Sequence, residues 1–497
     1  MRATNRASSD PTPAKQLNNA PEGVTETVEG RGPVKGNTVE QNAPRTQSRT
    51  GCAPSALDRV RQAAARDRKL RFTSLLHHVS VDRLREAYFS TKRTASPGPD
   101  GETWSDFGED LELRLEDLHR RIHRGAYRAK PSRRAFIPKA DGSQRPLAVA
   151  ALEDKVVQRA VATVLSAIYE QDFLGFSYGF RPRRNPHMAL DALATGIERK
   201  RVNWVLDADI RGFFDAIDHT WMLRFLEHRI ADRRLLRLIR KWLRAGVLED
   251  GVKRVQGTGS PQGASLSPLL ANVYLHYVFD LWTEYWRQKH ARGDVIVVRF
   301  ADDIVLGFQY KADAERLWAD LRARLRKFCL ELHPRKTRLL RFGSFADAQR
   351  KDRGEGKPET FDFLGFTHVC ARTRIGRFHV QRLTAKSRMR ARLRSIREEL
   401  MRRRHLPLAA QGRWIRQVVR GYFAYHAVPK NGARIAAFRV EVRRAWIHAL
   451  RRRSQRTRMT WSRFQAVADP WIPKARILHP WPTMRFDVRT QGRSPVR

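Results

Sequence analysis

The stretch Val295–Phe308, VIVVRFADDIVLGF, limits the possible folds of this chain more than any other segment. Its two runs of β-branched and aromatic residues favour extended backbone, because such side chains are stiff at χ1 and pack on a pleated surface. Ala301, Asp302 and Asp303 interrupt them, so the stretch predicts a β-hairpin with two carboxylates at its tip. Turns often carry Asp for its local hydrogen bonds, and alone the pair says no more than that. A second segment adds weight. Val202–Ile210, VNWVLDADI, alternates, with Trp204, Leu206, Ala208 and Ile210 on one side and Val205, Asp207 and Asp209 on the other. It reads as a strand with an acidic face.

Acids gathered on two strands need a reason in a chain that is otherwise strongly basic. Its 497 residues hold 97 Lys and Arg against 51 Asp and Glu, a formal charge of +46. That length allows two or three domains with their own cores. Such a charge exceeds what solubility requires and makes a polyanion, nucleic acid first, the expected partner. A membrane surface is the competing anion, yet the chain has no apolar run long enough to span a bilayer, and its start, MRATNRASSDPTPAK, has no apolar signal core. Cys52, Cys329 and Cys370 are too scattered for a disulfide framework or a zinc pair, which fits a reducing cytoplasm.

Residues 1–55 are rich in Pro, Gly, Thr, Asn and Gln and nearly lack aromatics, so a disordered tail is expected. A basic helical stretch follows from Ala56, and the Pro and Gly of TASPGPDGETW mark a turn before the body of the fold. Val157, Val161, Val164 and Ile168 make one face of a core helix. Ile435, Phe438, Val442, Ala445 and Ala449 line another, with arginines over much of its remaining surface. From Gln381 to Thr460, 23 Lys or Arg face three acids, a net of +20. Trp414, Tyr422, Phe423, Tyr425, Trp446, Trp461 and Trp471 lie among or just beyond these charges. Basic residues interleaved with aromatics suit an RNA-binding helical domain, although some of the rings must be core.

Nucleotidyl transfer places negative charge on an attacking 3′ oxygen and on a leaving pyrophosphate. Two Mg²⁺ ions about 4 Å apart stabilise both, and hard cations prefer carboxylate oxygens. Asp209, Asp302 and Asp303 are the candidate ligands, with the backbone carbonyl of Ile210 as a further one. Asp207 shares the face of Asp209 and competes with it, whereas Asp215 and Asp218 lie past RGFF and are expected to cap the next helix. His219 and His333 have no zinc-like spacing and read as hydrogen-bonded structural residues.

The ordered segments FIPKADGSQRPLAV, EDKVVQRAV, SYGFRPRRNPHMALDAL, LDADIRGFFDAIDH, GSPQGASLSPLLANVYL, RFADDIVLGF, LHPRKTRLL and FLGFTH resemble the reverse-transcriptase blocks of bacterial group II intron-encoded proteins. GYFAYHAVPKNGARIAAFRVEVRRAW through RILHPWPTMRF is similar to the maturase domain of the class C lineage. The resemblance implies an α+β right-hand polymerase. Its helical extension would span 56–132, its fingers and palm with an antiparallel sheet 133–383, its thumb 384–470, and a short nucleic-acid-binding region 471–497. It implies RNA-templated DNA synthesis from dNTPs with two Mg²⁺, for which Mn²⁺ may substitute. It also implies binding and splicing of the parent intron RNA, and retrohoming into target DNA in a bacterial, nucleoid-associated setting.

Carried over residue by residue, Lys139 and Arg145 would hold the triphosphate, Arg through a bidentate contact. Phe214 would exclude a ribose 2′ hydroxyl. Gln262 and Gly263 would meet the incoming nucleotide, Gly263 by close backbone approach. Lys336 would donate a proton to the pyrophosphate. Arg181 would contact template or backbone. Phe300 stands where Tyr commonly precedes Ala-Asp-Asp, a change that keeps the ring. No paired cysteines of a zinc-supported endonuclease follow the helical region, so second-strand cleavage is not expected. The alternatives are an RNA-binding splicing factor without polymerase activity and a reverse transcriptase of a retron or defence system.

Overall fold

The computed structural model describes residues 55–138, 144–249, 252–254, 257–259, 263–454 and 459–490. The expected disordered tail lies outside them apart from Ser55, which caps the first helix by accepting from Asp58 N. The fold mixes helices with three sheets whose pairings are antiparallel except for a short parallel contact of β1 (Ser132–Pro138) with β4 (Val247–Glu249). β2 (Gln144–Val149) and β5 (Val252–Arg254) complete that first sheet, in the order β2-β1-β4-β5.

The second sheet carries the acidic segments. β6 (Val295–Phe300) and β7 (Asp303–Phe308) form the expected hairpin, and β3 (Trp204–Asp209) lies between β7 and β8 (Arg338–Arg341). β9 (Phe361–Phe363), β10 (Phe366–Arg372) and β11 (Phe378–Thr384) make the third.

Alternation along β3 places Leu206 and Ala208 in the largest core, where the helix Leu152–Asp172 is buried nearly all round. The same core takes the inner faces of the helices Ala56–Arg66, Val81–Phe89 and Leu111–Arg124. Val205, on the other face of β3, joins a second core with Ile296, Val298, Phe300 and Val305, covered by the helix Pro186–Arg199 and the third sheet. The acidic side of β3 is therefore not the solvated face that alternation alone suggests. A sheet buried on both sides admits polar residues within it only where they find partners.

A third core joins the helices Lys386–Arg402, Leu408–His426, Gly432–Arg451 and Trp461–Ala468. Tyr422, Phe423 and Trp446 are core residues here, and Tyr422 stacks on Phe438 at 3.5 Å between ring centres. Trp461 stays exposed under the Arg443 guanidinium. The segment after residue 470, expected to contact nucleic acid, spends part of its charge internally: Arg485 is bound to the buried Asp191, which also accepts from Arg382 at 2.9 Å.

His368, fully buried and stacked on Phe361, has its imidazole pushed down to about 3, first by burial and then by the Arg382 charge. Unfolding restores an ordinary histidine, so below pH 6.5 the unfolded chain binds the extra proton and stability falls as pH falls. The expected cost is about 1.4 kcal/mol at pH 5.5 relative to pH 7.5. Urea midpoints at the two pH values measure it, and His368→Phe should remove that part of the slope.

Candidate active site

Asp209 ends β3 directly opposite Asp303, the first residue of β7. The Asp209 carbonyl accepts from His333 N at 2.7 Å, on the far side from β7. Asp209 and Asp303 therefore form a non-hydrogen-bonded pair, the type whose Cα atoms approach to about 4.5 Å and whose side chains lie closest. Asp302 is adjacent in the two-residue turn, and all three carboxylates are half-buried. Past Asp209 the chain continues through a bridge between Ile210 and Leu332, flanked by Arg211 N donating to the Glu331 carbonyl at 2.9 Å. With Asp209 O and Arg211 N both turned that way, the Ile210 carbonyl points back toward the β7 side, where the turn lies.

Asp207, the rival of Asp209, lies one pleat back, opposite Val305 and Arg338. Burial pushes its carboxyl up to about 6, and the Arg338 charge offsets this only in part. It belongs to the sheet interior, and Asp209 is the residue that reaches the acidic turn. Lys336 is drawn to the same place, its Nζ 3.3 Å from Asp209 Oδ2. Asp218 caps the helix His219–Glu227 through Trp221 N, as expected. Asp215 does not: it sits in the short helix Phe213–Ala216 and faces open space beside Arg134. His219 bonds the Gly259 carbonyl at 2.6 Å, and His333 Nδ1 accepts from Arg335 N, both structural roles.

The turn is held from behind by a residue that pattern reading passed over. Arg299, fully buried in β6, uses all five of its N–H donors: two on Asp280 at 2.7 and 2.6 Å, one on Asn272 Oδ1 at 3.0 Å, one on the Ala301 carbonyl at 3.0 Å and one on Ser177 Oγ at 2.7 Å. Ala301 is left-handed at φ 56°, a conformation that costs a non-glycine residue roughly 1 kcal/mol. Gly179 packs against it so tightly that a Cβ there would come within 2.3 Å of Ala301 N. The signal in the sequence was a lone Arg inside the apolar run VIVVRF, which implies a buried partner.

Arg181 corrects an expectation. Its guanidinium is buried, bonded to Glu170 Oε2 and to the carbonyls of Leu174 and Ser177, so it braces this backbone and does not reach a template. Gly263, at φ 109°, does approach backbone closely, but the neighbour is the Ala148 carbonyl of β2, 2.9 Å from where a Cβ would stand. Lys139 and Gln262 lie outside the described residues, as does the side chain of Arg145, whose backbone pairs with Ile137. Phe214 is half-buried beside Phe213, their ring centres 5.4 Å apart. A cavity of about 470 Å³ opens near this helix, lined by Arg134, Pro146, Asp215, Gly257 and Thr258, within the range of a small-molecule site.

Residues 137–368 match the reverse transcriptase (RNA-dependent DNA polymerase) family. Over 353 residues the chain is 31% identical to Protein YkfC of Escherichia coli strain K12, covering 64% of this chain and 88% of that protein. The chain belongs to the reverse transcriptase family. This reverse transcriptase is also 35% identical over 209 residues to the group II intron-encoded protein LtrA of Lactococcus lactis subsp. cremoris, 41% of this chain and 34% of LtrA. It is 28% identical over 161 residues to nuclear intron maturase 3, mitochondrial, of Arabidopsis thaliana, 32% of this chain and 21% of that protein. The chain thus spans most of YkfC but about a third of LtrA.

Among the described residues, no three His, Cys, Asp or Glu side chains stand as a ready-made metal cluster. The donor set nevertheless suits hard divalent cations: carboxylate oxygens from two paired strands and a carbonyl aimed at the same side. The Lys336 ammonium on Asp209 supplies positive charge where a cation would.

Proposed function

We propose that this reverse transcriptase extends a DNA primer on an RNA template from dNTPs, with Asp209, Asp302, Asp303 and the Ile210 carbonyl holding two Mg²⁺ ions, for which Mn²⁺ substitutes. The close pairing of Asp209 with Asp303, with Asp302 next in the turn, carries this reading. Bound there, the ions would lower the pKa of the primer hydroxyl and neutralise charge on the departing pyrophosphate. Lys336, on the rim at Asp209, would yield that carboxylate to a bound cation and could then donate its proton to the pyrophosphate. Lys139 and Arg145, the latter in β2, grip the triphosphate, and Gln262 orients the nucleotide. The cavity beside Arg134 and Asp215 supports a nucleotide pocket there.

In right-hand terms, the first sheet serves as fingers, the acidic sheet as palm and the helices from Lys386 as thumb. The net +20 of residues 381–460 and the likeness to LtrA and an intron maturase support a second role: binding and helping to splice a group II intron, then copying it into target DNA in the bacterial cytoplasm. Primer extension on an RNA template tests the polymerase reading. Mg²⁺-dependent incorporation is expected. No incorporation under conditions that support RNA binding would leave a splicing-only protein.

Phe214 serves as the sugar gate, five residues past Asp209 and half-buried against the Phe213 ring. Phe214→Val should raise ribonucleotide incorporation relative to dNTPs by roughly tenfold or more, the scale of a lost steric contact worth 1–3 kcal/mol. Single-nucleotide kcat/KM ratios measure it, and unchanged ratios would assign Phe214 to packing alone.

A further inference from the structure

The helix Arg233–Arg244, RRLLRLIRKWLR, divides all its residues but the half-buried Lys241 between two surfaces. Leu235, Leu236, Leu238, Ile239, Trp242 and Leu243 are buried, while Arg233, Arg234, Arg237, Arg240 and Arg244 are exposed. Four of these, at 233, 237, 240 and 244, recur at helical spacing and form one stripe. Its length of about 16 Å matches a short run of phosphates along one strand. The helix carries no acid, and among the described residues no ion pair is recorded for any of the five arginines. Some exposed arginines elsewhere do meet carboxylates: Arg397 meets Glu441, Arg402 meets Glu399 and Arg120 meets Asp117. Like charges three or four residues apart oppose helix formation by about 0.2–0.5 kcal/mol per pair, and nothing on this helix offsets that.

The helix is nevertheless rigidly mounted. Asp232 accepts from Arg234 N and Leu235 N at its start and from Leu75 N and Leu76 N of the preceding segment, at 2.8–3.2 Å. Lys241 donates to the carbonyls of Gly125 and Tyr127 near its other end. A fixed row of guanidinium forks suits bidentate capture of phosphates. A membrane is a poor fit, because every large apolar side chain of the helix is turned inward and none remains to enter a lipid interface.

We infer that the arginine stripe of Arg233–Arg244 is a binding surface for the phosphate backbone of a folded RNA, separate from the Asp209–Asp303 site and from the basic C-terminal helices. This deepens the proposed intron-binding role and rests on it. The test compares the full-length protein with a variant in which Arg233, Arg237, Arg240 and Arg244 are all changed to Gln, and with one in which they are changed to Lys. Each is titrated with a long self-folded RNA transcript over a range of salt and assayed for extension of a short RNA template–DNA primer. For the Gln variant we expect roughly 10- to 100-fold weaker transcript binding and a salt slope shallower by about 3, each of the four lost phosphate contacts releasing about 0.7–0.9 of an ion. The Lys variant should keep most of the slope. Short-primer extension should stay within twofold of the unaltered protein, so a failure of the polymerase reading appears separately, as no extension by any form. An unchanged slope in the Gln variant, or equal loss of short-primer extension, would overturn the assignment.

Discussion

Asp209→Asn and Asp302→Asn are each expected to lower dNTP incorporation by at least about 10²–10³-fold, the scale on which removing one preorganised charge-stabilising group acts. Each change removes a formal negative charge from a carboxylate side chain and leaves its shape almost intact. The backbone hydrogen bonds at the site, Asp209 O from His333 N and Arg211 N to Glu331 O, do not involve the altered atoms, so the sheet end should keep its form. RNA affinity should stay within a few-fold. Primer extension and filter binding on the same preparations separate the outcomes, and equal loss of both would indicate a structural acid. Asp207→Asn should be far milder, because burial already raises its carboxyl to about 6 and its nearest charge is Arg338.

Arg299→Leu is expected to destabilise the fold by about 3–5 kcal/mol, because it leaves the buried Asp280 carboxylate without its partner. His276, 4.0 Å from Asp280, offers little rescue: burial, more than any charge, pushes its imidazole down to about 4. Urea unfolding of Arg299→Leu measures the loss, and the double change with Asp280→Leu should recover much of it. Arg299→Lys separates positioning from stability. Lysine can pair with Asp280 but cannot also reach Ser177, Asn272 and the Ala301 carbonyl, so the turn carrying Asp302 loosens. In the folded Lys variant kcat should fall and the Mg²⁺ requirement rise while KM for dNTP changes little. A merely structural arginine would leave the Mg²⁺ dependence unmoved.

Much of this site was legible because two strong periodicities met. The β-branched runs around Ala301–Asp303 predicted the hairpin, the alternation of Val202–Ile210 predicted β3, and the structure pairs them through Asp209 and Asp303. Periodicity records which side a residue takes but not what covers that side. Asp207 therefore read as a rival of Asp209 on one acidic face, although the helix Pro186–Arg199 and the third sheet close over its interior end. Arg181 misled for a related reason. The resemblance placed it on template or backbone, and only the positions of Glu170 and two carbonyls show that it is spent internally. Asp215 was out of reach for local reading because the chain makes an extra short helix, Phe213–Ala216, before the one that Asp218 caps. The basic stripe of Arg233–Arg244 was visible as composition, but that none of its arginines is ion-paired among the described residues is a fact of packing.

The proposed chemistry requires two divalent ions to share Asp209, Asp302 and Asp303. Diffraction from crystals of the protein with template, primer and a non-hydrolysable dNTP, soaked in Mn²⁺, tests this most directly through the anomalous signal. Two peaks about 4 Å apart in contact with those three carboxylates are predicted. Manganese bound elsewhere, with these side chains turned away from the primer terminus, would contradict it.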